Sequence, residues 1–359
     1  MWPASAGPSK MTRFATPLLL LASGILVALS LHTVVNCGDA DDPDICSAVI
    51  GFSPFRGPLI AFAYEGRGRI AMRHRLYPAA IVDFDTAIHL NPNRAALFHE
   101  RALAHKENGE LDPAISDFDQ AIALDPNLAA AYYERGMALE AKGDLDRALL
   151  SYNTAIRLAP DDADTRVKRG MAYAKKGDLD AAIADYDAAL ELRPTDARIW
   201  FNIGVAYGDK DDLARAIESY TRAIALDPNH QRAYVNRAIA YRRIGDPDHG
   251  FSDCDRAIQL DPSDRLAYMA RATAYRIEGD HSRALIDYDT VIRLDPHDTR
   301  ALAGRGLSHL ALGRNDEARA DFKAVLAQAN GQNDWAHQVA RTKLGELDST
   351  SGRSIGPGK

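Results

Sequence analysis

The sequence predicts an all-α fold, an array of helix pairs repeating every 34 residues, from three observations. The first is metre. The block DFDQAIALDPN, residues 117 to 127, returns as DFDTAIHLNPN, SYNTAIRLAPD, DYDAALELRPT, SYTRAIALDPN, DCDRAIQLDPS and DYDTVIRLDPH. Pro92, Pro126, Pro160, Pro194, Pro228, Pro262 and Pro296 fall 34 residues apart. Each block is the end of an apolar-faced helix and then a breaker, since proline cannot continue a helix and disfavours helical angles just before it. A period of this size marks an array that grows by stacking, not one enlarged core. The second observation is size. With the proline at place 32, place 8 is always small (Gly68, Ala102, Gly136, Gly170, Gly204, Ala238, Ala272, Gly306), and so is place 20 (Ala80, Ala114, Ala148, Ala182, Ala216, Gly250, Ala284, Ala318). Two helices cross closely only where side chains are small, so these places mark the crossing. The third is the aromatic at place 24 (Phe84, Phe118, Tyr152, Tyr186, Tyr220, Tyr288, Phe322), which fills the gap beside the crossing and buries a large apolar area.

Taken in order, residues 1–35 come first. Lys10 and Arg13 precede an apolar run from Leu18 to Leu31, broken by Ser23, Gly24 and Ser30. A positive start before such a run is the pattern of a secretory signal, and Ala28-Leu29-Ser30 offers small residues for cleavage. Extended through Thr33, Val34 and Val35, the run nears the roughly 20 residues that span a bilayer, so a retained single-span anchor is the alternative. Either way the positive flank favours sending the rest of the chain across. Residues 36–60 follow. Cys37 and Cys46 bracket GDADDPDI, and an oxidising compartment lets them pair; two free thiols are the other reading. Residues 44–54 look like a second helix closed by Pro54, a half-repeat capping the array.

Residues 61–332 hold eight repeats, beginning at 61, 95, 129, 163, 197, 231, 265 and 299. Gly143, Gly177, Gly245, Gly279 and Gly313 stand where a helix end calls for left-handed angles. Asp144, Asp178, Asp246 and Asp280 follow and can cap the second helix, and Pro247 suits its first turn. Place 7 is Arg in seven repeats (Arg67, Arg101, Arg135, Arg169, Arg237, Arg271, Arg305), with an acid usual at place 23. The repeat with Ile203 instead carries Ser219 there, so an internal Arg–Asp ladder is expected. Ser151 beside Arg135 is an exception. Cys254, at an aromatic place, is expected as a buried small hydrophobe. Residues 333–347 form a closing helix with Ala336, Val339, Ala340, Leu344 and Leu347 on one face, and 348–359 are expected as a disordered tail.

This pattern of small, aromatic and proline places resembles the tetratricopeptide repeat family. The resemblance implies an α-α superhelix, or solenoid, of antiparallel helix pairs, right-handed and with a concave inner groove. The family's usual Trp at place 4 survives as Trp200, with Tyr64, Tyr132, Tyr234 and Tyr268 elsewhere.

No active site is legible. The net charge of −7 argues against nucleic acid, which selects basic proteins. His99 and His105 are six apart, whereas a zinc helix motif needs four. No phosphate-binding glycine loop or hydrolase serine elbow occurs, and no cofactor or metal is expected. The first helix is more informative. Its places 2, 5, 6, 9, 12 and 13 form one stripe at three-to-four spacing, which in the family lines the groove. Repeat 197–230 gives Arg198, Phe201, Asn202 and Val205. Repeat 231–264 gives Arg232, Val235, Asn236, Ile239, Arg242 and Arg243, and repeat 265–298 gives Met269 and Arg276. An apolar floor with basic walls suits an extended acidic peptide. Asn202 and Asn236 resemble the asparagines with which family members hold a peptide backbone. The family's chaperone clamp needs Lys and Asn where this chain has Tyr133, Val167, Phe201, Met137, Met171 and Val205, so that partner is not expected. The expectation is a non-enzymatic scaffold, exported or membrane-anchored, binding a protein or peptide through Arg198, Phe201, Asn202, Arg232, Val235, Asn236, Arg242, Arg243, Met269 and Arg276. The alternative is an accessory factor organising an envelope or export complex through its convex face or ends.

Overall fold

The computed structural model describes residues 43–52, 58–328 and 334–353. The apolar run at 18–31 and Cys37 lie outside these residues. Among the described residues, no helix is long and apolar enough to cross a membrane.

The described chain is helical, with turns and no strand. It divides into two compact units, one ending at Lys176 and one starting at Gly177. The first holds α1 (Pro43–Phe52), α2 (Pro58–Arg73), α3 (Tyr77–Leu90), α4 (Ala95–Glu107), α5 (Leu111–Leu124), α6 (Ala129–Ala141), α7 (Leu145–Leu158) and α8 (Ala163–Lys176). The second holds α9 (Leu179–Leu192), α10 (Ala197–Asp209), α11 (Leu213–Leu226), α12 (Gln231–Arg243), α13 (Pro247–Leu260), α14 (Arg265–Ile277), α15 (His281–Leu294), α16 (Thr299–Ala311), α17 (Asn315–Ala327) and α18 (Trp335–Arg353). Within each unit the helices pack as consecutive pairs, each second helix packs on the next first helix, and first helices of successive pairs also touch. This is the layout of an α-solenoid.

The small places do what their size demands. A Cβ added at Gly136 would lie 2.6 Å from the Tyr152 ring, and one at Gly204 would lie 2.5 Å from Tyr220. The aromatic ring therefore rests on bare backbone of the partner helix, and the two axes approach closely. In the repeat of Ala238, Cys254 takes the place of the aromatic. Cys254 is a free, buried thiol, and burial pushes its pKa up to about 12.

Turns and caps follow the expected chemistry. Gly109, Gly143, Gly177, Gly245, Gly279 and Gly313 take positive φ, and where glycine is lacking Arg75 and Asp211 do so. Asp144, Asp178, Asp246 and Asp280 each accept a backbone N–H at the head of the second helix, as does Asp212.

The arginine ladder is present and does more than pair within a repeat. Arg271 grips buried Asp287 through two hydrogen bonds of 2.8 Å, and its remaining nitrogen reaches Asp255 of the preceding repeat at 2.5 Å. Arg305 joins Asp321 to Asp289, Arg101 joins Asp117 to Asp85, and Arg237 joins Asp253 to Thr221. Arg135 spans Ser151 and Asp119. Place 7 is thus a clamp between repeats. Ile203 is buried where that arginine would be, and among the described residues no ion pair answers Asp187. Partial desolvation, and behind it the Glu191 carboxylate, raise the Asp187 pKa.

The ends differ from each other. Cys46 is fully buried against Ala63 and Ile70 and is disulfide-bonded. At the other end Ala336, Ala340 and Leu347 of α18 cover Leu302, Ala303, Phe322 and Val325. The first part of the tail expected from 348 is helical, because α18 continues to Arg353, and residues 354–359 lie outside the described residues. Asp348 is ion-paired with Arg319, a tertiary contact that holds its turn of helix against the array.

Candidate protein-binding stripe

The stripe lies in the second unit, on α10, α12 and α14. These helices touch in succession, so their stripes form one continuous surface. The structure sorts the candidate residues into three groups.

Two belong to the core. Phe201 is 6% exposed and Val235 is 4% exposed, so neither offers a partner much area. Of the apolar floor expected there, these two are core, while Val205, Ile239 and Met269 are half-buried. Phe201 packs on Tyr220 and stacks on His230 at 4.8 Å between ring centroids, with the Arg232 guanidinium 5.1 Å from its centroid. Met269 is half-buried against the cluster of Tyr288 and Val291.

A second group is already engaged. Arg198 is hydrogen-bonded to Asp196 at 2.7 and 3.0 Å, and holds that carboxylate below its ordinary pKa. Arg243 pairs with Asp211 at 2.5 Å and reaches the Gly208 carbonyl, so it is not the open counter-charge the sequence suggested. Asn236 lies beside the Tyr220 hydroxyl. Asn202 is half-buried on the same face of α10.

The third group is uncommitted. Arg232, Arg242 and Arg276 have no carboxylate partner among the described residues. Arg242 and Arg276 hold the same place in successive repeats and both are half-buried. Burial, then Arg243, then Arg276 push the Arg242 pKa down. Among the described residues, Arg276 hydrogen-bonds to the Tyr288 hydroxyl, at 3.3 Å. Two half-buried guanidiniums that repel each other without an anion nearby are costly. Their surroundings make the room: Cys254 stands in place of an aromatic near Arg242, and the Tyr288 ring leans over Gly304, where a Cβ would lie 2.4 Å away. Sequence reasoning missed Tyr288 and His230. The glycine at 304, at a place that carries Glu100, Glu134, Lys168, Asn202 and Asn236 in five other repeats, was the available signal.

With this geometry in hand, comparison with known proteins is direct. Profiles of the tetratricopeptide repeat match residues 99–163 and 269–333, 197–230 and 219–248, and a TPR repeat profile matches 170–211. The chain belongs to the tetratricopeptide repeat family. No curated protein matches the sequence. A tetratricopeptide repeat protein from Parabacteroides merdae is 21% identical, covering 71% of this chain and 98% of its own, with a TM-score of 0.57. The C-terminal part of a TPR repeat-containing protein from Cytophaga hutchinsonii is 22% identical over 66% of this chain and 97% of its own, with a TM-score of 0.55. The Cut9–Hcn1 hetero-tetramer of the APC/C aligns over 74% of this chain and 52% of its own at 17% identity, with a TM-score of 0.52. These likenesses are to the fold. Tetratricopeptide repeats are typically non-catalytic scaffolds for protein–protein interaction.

Proposed function

We propose that this tetratricopeptide repeat protein is a non-enzymatic scaffold holding an extended acidic polypeptide segment along α10, α12 and α14, in the groove the family implies. The observation that carries the reading is the pair of half-buried guanidiniums, Arg242 and Arg276, left without a carboxylate. A carboxylate from a partner supplies the missing charge, and arginine binds it in a planar, two-pronged manner. Arg232, at the opposite end of α12 from Arg242, adds a third guanidinium beside the Phe201 ring, while Asn202 and Asn236 offer amides for a peptide backbone.

We also read the chain as exported, or anchored by residues 1–35 with the array outside the cytoplasm. The disulfide at Cys46 supports this, because such bonds persist in oxidising compartments. Protease accessibility in intact cells and the mass of the mature N-terminus test it. An array protected until the inner membrane is opened would overturn it.

The binding reading is tested by fluorescence anisotropy with a labelled twelve-residue peptide alternating Asp and Glu with Ala. Reversing Arg242 and Arg276 to Glu should abolish binding, and reversing the exposed, internally paired Arg198 should have a small effect. Binding that survives the double reversal would sink the proposal.

A further inference from the structure

We propose that the anion taken by Arg242 and Arg276 is the acidic segment Asp39–Asp42 of a second copy of this chain. The inference rests on the reading of the stripe as a site for an acidic segment, and it names the segment.

The demand is specific. Two guanidiniums sit on neighbouring first helices, at the same place of successive repeats, and packed helix axes lie roughly 8–10 Å apart. An occupant must therefore present carboxylates about 10 Å apart along a short extended run. A polyproline-II run rises about 3.1 Å per residue with three residues per turn, so acids three apart meet that spacing on one face. Asp39 and Asp42 are three apart, with Asp41 between them.

The supply is equally particular. Acids of the array are widely answered from within: Asp287 and Asp255 by Arg271, Asp321 and Asp289 by Arg305, Asp211 by Arg243. The stretch around Asp39, Asp41 and Asp42 differs in composition, because no Lys or Arg occurs between Arg13 and Arg56. It is the chain's own surplus of negative charge, next to a helix whose Cys46 is buried and disulfide-bonded. Every copy carries both the acidic segment and the basic pair, so copies join head to tail, as a heterologous contact does.

The experiment is sedimentation velocity on the protein as purified from its native compartment, across a range of concentrations at low and high salt. Self-association that rises with concentration and weakens with salt is expected. Replacing Asp39, Asp41 and Asp42 together by Asn should weaken it about tenfold or more, as should R242Q with R276Q. A charge swap gives the sharper result. A chain with R242E and R276E, and another with D39K, D41K and D42K, should each stay monomeric alone and associate when mixed. A protein that is monomeric throughout, or association untouched by the triple Asn variant, overturns the inference. The acidic peptide used above separates the two readings. Peptide binding that depends on Arg242 and Arg276 in a monomeric protein removes the second copy and keeps the groove, whereas loss of both results removes both.

Discussion

At the scale of single residues, bare backbone under an aromatic ring decides how tightly each pair closes. Gly204 shows it, because a Cβ there would lie 2.5 Å from the Tyr220 ring and something must shift. Gly204→Ala should destabilise the protein by about 1–3 kcal/mol, the usual range for overpacking. Gly208, one turn on in the same helix, is the internal control. Its nearest neighbour is the Tyr220 hydroxyl at 3.6 Å, so Gly208→Ala gains helix propensity of about 1 kcal/mol without a clash. Denaturant melts that rank the two variants the other way would refute this account of the crossing. The small and aromatic places were legible in the sequence because both are read from residue type alone. The leaning of Tyr288 onto Gly304 was not, because it joins two different repeats and is set by how they stack.

Between elements, the arginine at place 7 is the principal joint. The sequence showed its pairing with place 23, since the two vary together at Ile203 and Ser219. Its reach to place 25 of the preceding repeat was hidden, because a side chain's third bond is set by packing and not by its own spacing. Arg271→Gln would strand Asp287, which is 2% exposed, and should cost about 3 kcal/mol. The opposite experiment belongs at Ile203, where the joint is missing. Asp187 has a raised pKa there, so its ionisation is harder in the folded chain than in the unfolded one. That penalty grows as pH rises through the ordinary carboxylate range and is absent well below the usual value of 3.8. Asp187→Asn should therefore raise the melting temperature at neutral pH, and the two proteins should converge in acid. A gap that is constant from pH 3 to pH 7 would show that the carboxylate charge is not the cause.

For the whole molecule, the same economy that made the fold legible made the ligand illegible. Eight repetitions of one pattern expose its rules, whereas a binding surface consists of what varies between repeats and occurs once. The C-terminal helix shows the limit from the other side: Asp348, Ser349 and Thr350 have the composition of a tail, yet Arg319 holds Asp348 and the helix runs on to Arg353. An array contacts only its neighbours in order, so loss of that helix should stay local. Ending the chain after Gln328 would uncover Leu302, Ala303, Phe322 and Val325. Hydrogen exchange should then show α16 and α17 losing protection while α10 to α13 keep theirs, and the exposed apolar face should make the truncated protein associate. Uniform loss of protection from α10 onward would mean that the second unit unfolds as one cooperative body, and that nearest-neighbour stacking does not set its stability.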